Sequence, residues 1–327
     1  MSAPSVLVTG AGGYLGSQLV AALAAGRIKV SRVVAADVRE VPPERRLPGI
    51  EYVQADVRSP ALIELFDQRK VDVVVHLASI VTPGKDSNRQ FEYSVDVEGT
   101  ENVLIACTTT GVKKIVVSSS GAAYGYHADN PAWLTEDSPL RGNQAFAYSW
   151  HKRLVEEMLA RWRAEHPELK QVVFRIGTIL GPTVRNQITA LWEGRRILEI
   201  AGSASPFVFA WVEDVVAAMV RAATVGPAGV YNVAGDGCVT VREIAALLGK
   251  RTIRVPAWAL AAALAVGHAL RLTPHGPAQV GFLRYRPVLS NAALRERFGL
   301  VPSRTSRQAF LEYRRARWGT PVDAASE

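Results

Sequence analysis

The stretch Ser5 to Gly16, Ser-Val-Leu-Val-Thr-Gly-Ala-Gly-Gly-Tyr-Leu-Gly, limits what this chain can fold into more than any other. Val6, Leu7 and Val8 form a short apolar run suited to a strand buried on both faces. Glycines follow at 10, 12, 13 and 16, and then a helical apolar pattern: Leu15, Leu19, Val20, Leu23. Strand, glycine turn and helix in this order is the context that a dinucleotide pyrophosphate needs. Glycines let backbone come close to the phosphates, and the helix N-terminus turns free N–H groups and a positive dipole end toward them. The spacing is Gly10-x-x-Gly13-x-x-Gly16 after Thr9, because Leu15 stands where a Gly-x-Gly-x-x-Gly loop has its third glycine.

The first half of the chain then alternates. Strands are expected at Arg32 to Asp37, Glu51 to Val57, Val71 to Leu77, Lys114 to Ser118 and Gln171 to Arg175. Helices are expected from Pro60 to Arg69, Arg89 to Thr110 and Tyr148 to Trp162. Such alternation implies an α/β, Rossmann-type, doubly wound parallel sheet, with ligands at the carboxyl ends of its strands. Asp37 follows Gly16 by about twenty residues, the spacing of an acid that accepts hydrogen bonds from the adenosine ribose. A carboxylate there repels a 2′-phosphate, so NAD is expected over NADP, with Arg39 softening the preference.

Beyond Gly181-Pro182 the pattern loosens into short helices (Val212 to Ala223, Val241 to Leu248), a strand at Val230 to Val233 and a terminal helix at Arg304 to Trp318. Residues 1–180 are expected to form the nucleotide-binding domain, with part of 205–235 returning to it. Residues 181–320 are expected to be mainly a smaller, discontinuous substrate region, and 321–327 a flexible tail. Pro256 to Leu270 is strongly apolar but short for a bilayer span, and core packing is its expected role ahead of a pocket cover or a membrane-surface contact. The two long helices carry more apolar surface than one sheet face needs, which points to a homodimer.

A net charge of +8 is spread through pairs such as Arg45-Arg46 and Arg195-Arg196, without the run of a nucleic-acid arm. Cys107 and Cys238 give no disulfide framework, and Cys107 sits in a helical apolar pattern as a small buried side chain. The six histidines lack metal-ligand spacing, so no metal is expected. Without a charged segment followed by an apolar one at the start of the sequence, a cytoplasmic location is expected.

The chemistry gathers near mid-chain. Ser118-Ser119-Ser120 ends a strand, and Tyr148 and Lys152 stand four apart on one helix face. A free Tyr has a pKa near about 10, too high for a base at neutral pH, but a neighbouring ammonium and a positive nicotinamide both favour a phenolate. Tyr148 is then the candidate general acid–base, Lys152 its partner and the holder of the nicotinamide ribose, and Ser120 the donor that steadies the substrate oxygen.

Thr9-Gly10-x-x-Gly13-x-x-Gly16, Asp37, Asp56-Val57, His76-Leu77-Ala78, Ser118-Ser119-Ser120 with Tyr124-Gly125, Tyr148-x-x-x-Lys152, and Arg175 with Gly181-Pro182 occur together and in order. In these the chain resembles an extended short-chain dehydrogenase/reductase, and more narrowly the NAD-dependent epimerase/dehydratase family. The resemblance implies Ser120, Tyr148 and Lys152 as the catalytic set and a dimer built from the two long helices. It implies NAD contacts from Gly10, Gly13, Tyr14, Leu15, Gly16, Asp37, Asp56, Val57, Leu77, Ala78, Ser79, Ser118, Tyr148 and Lys152.

The chain departs from the family's nucleotide-sugar members at three places. Thr178 holds the position of an Asn, Phe207 falls near an Arg, and Asp96 replaces a helix Asn. A diphosphate needs cationic or amide partners, so these changes weigh against a nucleotide sugar. Arg195, Arg196, Arg251 and Arg254 remain as a substitute clamp, while Trp258 to Val266 loosely resembles relatives that act on hydrophobic alcohols. The leading expectation is therefore an NAD-dependent oxidoreductase interconverting a secondary alcohol and a ketone. The alternative is a nucleotide-sugar epimerase or dehydratase with transiently reduced NAD. Further alternatives are a non-catalytic NAD-binding scaffold and a membrane-surface protein.

Overall fold

The computed structural model describes residues 3–26, 29–81, 87–273 and 276–319; the expected tail at 321–327 lies outside them. The order of elements is β1 (Ser5–Thr9), α1 (Tyr14–Ala24), β2 (Arg32–Asp37), β3 (Glu51–Gln54), α2 (Leu62–Arg69), β4 (Val73–His76), α3 (Arg89–Tyr93), α4 (Gly99–Thr110), β5 (Lys114–Ser120), α5 (Ala147–Glu165) and β6 (Lys170–Ile176). Then come β7 (Thr178–Leu180), α6 (Gln187–Ala190), β8 (Arg196–Ile200), β9 (Phe209–Trp211), α7 (Val212–Ala223), β10 (Gly229–Val233), α8 (Val241–Leu247), β11 (Arg251–Val255), α9 (Ala257–Ala269), α10 (Gln279–Arg284), α11 (Ala292–Glu296) and α12 (Ser306–Trp318).

Seven strands form one parallel sheet in the order β10-β6-β5-β4-β1-β2-β3. The chain order reverses between β1 and β4, and a crevice opens at such a switch point. The strands at the centre are apolar on both faces because helices cover both. Val6, Val8, Val75, Val116 and Phe174 pack toward α1 and α7. Leu7, Val74, Ile115 and Val117 pack toward α2, α4 and α5 with Cys107 and Met158. Met158 is thus a core residue, and the α5 surface left for a partner is narrower than its apolar content suggested.

Several boundaries moved for local reasons. β3 stops at Gln54, and Asp56 enters a turn that its own carboxylate closes on the Arg58 N–H at 2.9 Å. β5 runs on through Ser120, so the serines belong to the strand. Arg89 to Thr110 is helical throughout, but Ser94 to Glu98 forms a π-turn between α3 and α4.

A second core gathers Leu180, Trp192, Phe207, Phe209, Trp211, Ile244, Phe310 and Tyr313, with β7 beside β9 and β8 beside β11 as two-stranded parallel sheets. The expectation that Pro256 to Leu270 packs in the core is overturned, because no residue of α9 is buried. An apolar run records a preference for leaving water, and it does not say what covers it. Among the described residues no helix is long and apolar enough to cross a membrane.

Candidate active site

A cavity of about 1690 Å³ opens at the carboxyl ends of the strands. Every residue proposed above for cofactor or catalysis lines it: Gly10, Gly13, Tyr14, Leu15, Gly16, Asp37, Asp56, Val57, Leu77, Ala78, Ser79, Ser118, Ser120, Tyr148 and Lys152. They come from α1, β2, β5, α5 and the turns after β1, β3 and β4, brought together by the parallel register.

The glycine turn is built for a close backbone approach. Gly10 has φ +68°, and a Cβ there would meet the Ala78 nitrogen at 2.7 Å. A Cβ at Gly16 would strike the Gly10 carbonyl oxygen. Gly13 caps α1 with no side-chain acceptor, and the first turn holds no acid, so the leading N–H groups stay open toward the cavity. Asp37, buried at the end of β2, accepts from Gly12 N–H at 2.9 Å and from Arg39 N–H at 3.0 Å. Each carboxylate oxygen keeps a lone pair for another donor. A cradle that any Cβ would fill, open helix amides and a fixed acid form a donor and acceptor set that fits a dinucleotide. Asp56 lies farther along, hydrogen-bonded to Arg58, which holds its carboxyl below the usual range.

Behind this floor His76 is fully buried. Thr100 donates its hydroxyl to the Asp96 carbonyl at 2.6 Å, so it accepts from His76 Nε2 at 3.0 Å. Thr9 Oγ1 lies 2.8 Å from His76 Nδ1 and donates to it, which makes the ring the neutral Nε2–H tautomer. Burial is the chief cause of its pKa being pushed down to about 3, and the charge of Lys152 adds to it.

On the facing side, Lys152 is buried and its Nζ donates to the Ser118 carbonyl at 2.9 Å. The same Nζ lies 5.5 Å from the centre of the Tyr148 ring. Ser120 Oγ accepts from Ala122 N–H at 3.1 Å, and no residue among those described takes its proton. Helix α5 is held from two sides. Glu156, one turn beyond Lys152, receives Arg175 Nε at 2.8 Å and Arg175 Nη2 at 2.7 Å, with Ser119 Oγ on its other oxygen. Arg175 also reaches Tyr124 Oη at 2.8 Å. Burial opposes the Arg175 charge, but Glu156 outweighs it and raises the guanidinium pKa. On the second side, Asp96 accepts from His151 Nδ1 at 3.1 Å, Ile80 N–H at 2.8 Å and Ser79 Oγ at 2.9 Å. Burial penalises this carboxylate, yet His151, Lys152 and the two loop donors hold its pKa below the ordinary value. Asp96, noted above only as a departure, thus ties the loop after β4 to α5.

The substrate end corrects two expectations. None of Arg195, Arg196, Arg251 and Arg254 lines the cavity; they belong to β8, β11 and the residue before β8, and Arg254 faces Glu199 at 3.7 Å. Trp258 to Val266 does not line it either, which removes the ground for a hydrophobic-alcohol pocket. The buried cation in this place is Arg286, which the sequence alone did not single out. Arg286 is buried, and its guanidinium carbon lies 3.8 Å from the centre of the Phe207 ring. Its Nη1 donates to the Leu283 carbonyl at 3.2 Å, while Nε and Nη2 are buried without a hydrogen-bond partner. Burial pulls its pKa down to about 9. Thr178, Arg185, Asn186 and Gln187 line the same end.

Comparisons with known proteins agree with this geometry. The chain is 27% identical over 320 residues to an uncharacterized protein of Mycobacterium tuberculosis, covering 97% of this chain and 85% of that one. It is 31% identical over 184 residues to the UDP-glucose 4-epimerase of Azospirillum brasilense, covering 55% of this chain and 50% of the enzyme. In fold it is similar to the Bordetella bronchiseptica enzyme WbmG in complex with NAD and UDP, with a TM-score of 0.73, 19% identity, and coverage of 96% and 94% of the two chains. The NAD dependent epimerase/dehydratase family matches residues 6–234, from the glycine turn to the strand beside β6, and the chain belongs to that family.

Proposed function

We propose that the protein uses NAD to oxidise a secondary hydroxyl of a substrate carrying a phosphate ester, as a nucleotide-sugar epimerase or dehydratase does. The observation that carries this reading is Arg286. A buried guanidinium with two unpaired donor nitrogens and no acid partner among the described residues is costly. A phosphate oxygen pair satisfies it in the forked geometry that guanidinium offers. Arg286 thereby returns a cation to the neighbourhood of Phe207, where the family arginine is missing. The UDP-glucose 4-epimerase relative supports the same substrate class.

Gly10, Gly13, Gly16 and the first amides of α1 would hold the cofactor's pyrophosphate, and Asp37 its adenosine ribose. Bound there, NAD supplies the hydride acceptor. Lys152 spends one donor on Ser118 and keeps two for a ribose hydroxyl and for charge on Tyr148. Tyr148 takes the substrate hydroxyl proton as the carbon is oxidised and returns it on reduction. Ser120, accepting from Ala122 N–H with one lone pair, donates its free proton to the substrate oxygen.

The test is titration of UDP and UDP-glucose into the NAD-loaded protein by calorimetry. Native protein is expected to bind both, and Arg286→Met to weaken binding on the order of tenfold or more. Product analysis with absorbance at 340 nm then separates an epimerase or dehydratase, which accumulates no NADH, from a net dehydrogenase, which does. Failure of UDP to bind, or equal binding by Arg286→Met, overturns the phosphate assignment.

A further inference from the structure

The least accounted-for surface is α9. Its 13 residues extend for about 20 Å. One side is half-buried: Ala257, Ala259, Leu260, Ala261, Leu264 and Gly267. The opposite face carries Trp258, Ala262, Ala265, Val266 and Ala269, all exposed and aligned at helical spacing. Trp258 is 76% exposed and Val266 60%; Leu270 and Leu272 extend the patch at 63% and 79%. His268, the exposed polar residue of the helix, lines the active-site cavity instead, and apolar side chains in line on a surface mark a contact face.

Charge says what covers it. No Asp or Glu occurs between Glu243 and Glu296, whereas Lys250, Arg251, Arg254, Arg271, Arg284, Arg286 and Arg295 do, Arg254 alone of those next to the helix facing an acid, Glu199 at 3.7 Å. Arg251 and Arg271 bracket the helix, both exposed, and neither has an acidic partner within 4.0 Å among the described residues. A two-fold copy of the chain would set Arg251 and Arg271, cations without an acidic partner within 4.0 Å among the described residues, against themselves, and like charges facing each other oppose association. An anionic bilayer surface matches both halves of the patch. The helix is too short to span, has Trp at one end, and is flanked by arginines, which suits a position in the plane of the headgroups.

We propose that α9 docks this protein on a membrane surface rich in anionic lipid, with Trp258, Val266 and Leu270 inserted and Arg251 and Arg271 at the headgroups. The proposal is independent of the reaction assigned above.

The test is flotation of the full chain with vesicles of phosphatidylcholine alone or with 30% phosphatidylglycerol. Native protein should float with the anionic vesicles, and 0.5 M NaCl should release a large share of it. Trp258→Glu with Val266→Glu and Leu270→Glu should lower the floated fraction on the order of tenfold. None of the three lines the active-site cavity, so NAD binding by calorimetry and the circular dichroism spectrum should be unchanged. Should that variant fail to fold, quenching by brominated lipid that is present in native protein and missing in Trp258→Phe reports insertion without an added charge. Native protein that stays in the aqueous layer overturns the proposal, as does flotation unaffected by the triple substitution. Equal flotation on neutral vesicles overturns its anionic part. Concentration-dependent dimers that the triple variant dissolves, with no flotation, give the face to a second copy and also overturn it.

Discussion

Glu156→Ala tests how helix α5 is held. In the native chain the carboxylate is 5% exposed, and its partner Arg175 is 6% exposed. Three contacts join them, Arg175 Nε to both oxygens at 3.0 and 2.8 Å and Nη2 at 2.7 Å. The substitution leaves a guanidinium buried with only Tyr124 Oη and the Glu136 carbonyl as neutral partners. Removing one member of a buried pair costs about 3–5 kcal/mol, because the remaining charge keeps its desolvation penalty. With an unfolding entropy near 2.1 cal/mol/K per residue, this loss lowers Tm by roughly 4–7 °C for a chain of 327 residues. The assay is differential scanning calorimetry at pH 7.5 without cofactor. Glu156→Met combined with Arg175→Met should recover most of the loss, since it removes both charges and keeps volume. A Tm for Glu156→Ala within about 1 °C of native would falsify the claim that the pair holds α5 to the sheet.

Four further outcomes are expected. Tyr148→Phe keeps the ring and should lower turnover on the order of 10² to 10⁴-fold with little change in NAD affinity, measured by steady-state kinetics and calorimetry. Asp37→Ser should weaken NAD binding and narrow its advantage over NADP; native protein that prefers NADP would remove the assignment. His76 stays neutral when folded but takes a proton when unfolded below about pH 6.5, so the unfolded state binds more protons and stability rises with pH between about 3 and 6.5. Denaturant unfolding should therefore lose about 2 kcal/mol from pH 6.5 to 5 through this group, a slope that His76→Gln flattens. The homodimer is proposed on the exposed Phe91, Tyr93 and Ile105; Ile105→Asp should shift light scattering toward monomer, and a monomeric native protein at micromolar concentration would dismiss the idea.

The cofactor half of the site was legible because its logic is local. Strand, glycine turn and helix follow one another within twenty residues, and Asp37 sits at the end of the next strand. Tyr148 and Lys152 share one helix face, which spacing alone reveals. The substrate end was illegible because its contacts are not local. Arg286 lies on Phe207 from across the second core, and before folding it is one among 38 Lys and Arg residues. The four arginines chosen in its stead lie in pairs, a pattern that marks solvated strand edges as readily as a phosphate site. Asp96 read as a lost amide, and only its pairing with His151, 55 residues away, shows the work its charge does.

These two networks explain how Lys152 can stand buried and keep the donors its proposed role needs. A lone ammonium in that place would pay its desolvation without return. Here its Nζ is fixed on the Ser118 carbonyl near the end of β5, while Asp96 contributes negative charge from the π-turn between α3 and α4. Asp96 in turn is tied to the loop after β4 through Ile80 N–H and to α5 through His151. Glu156 ties the following turn of α5 to β6 through Arg175 and to β5 through Ser119. The lysine is therefore placed by strands β4, β5 and β6 together, the strands whose carboxyl ends floor the cavity. Rotation of α5 about its axis would break the Glu156–Arg175 ion pair on one side or the His151–Asp96 hydrogen bond on the other before Tyr148 moved far. The pair proposed for acid–base work is thus positioned before any substrate arrives, and its ordering cost is met in folding.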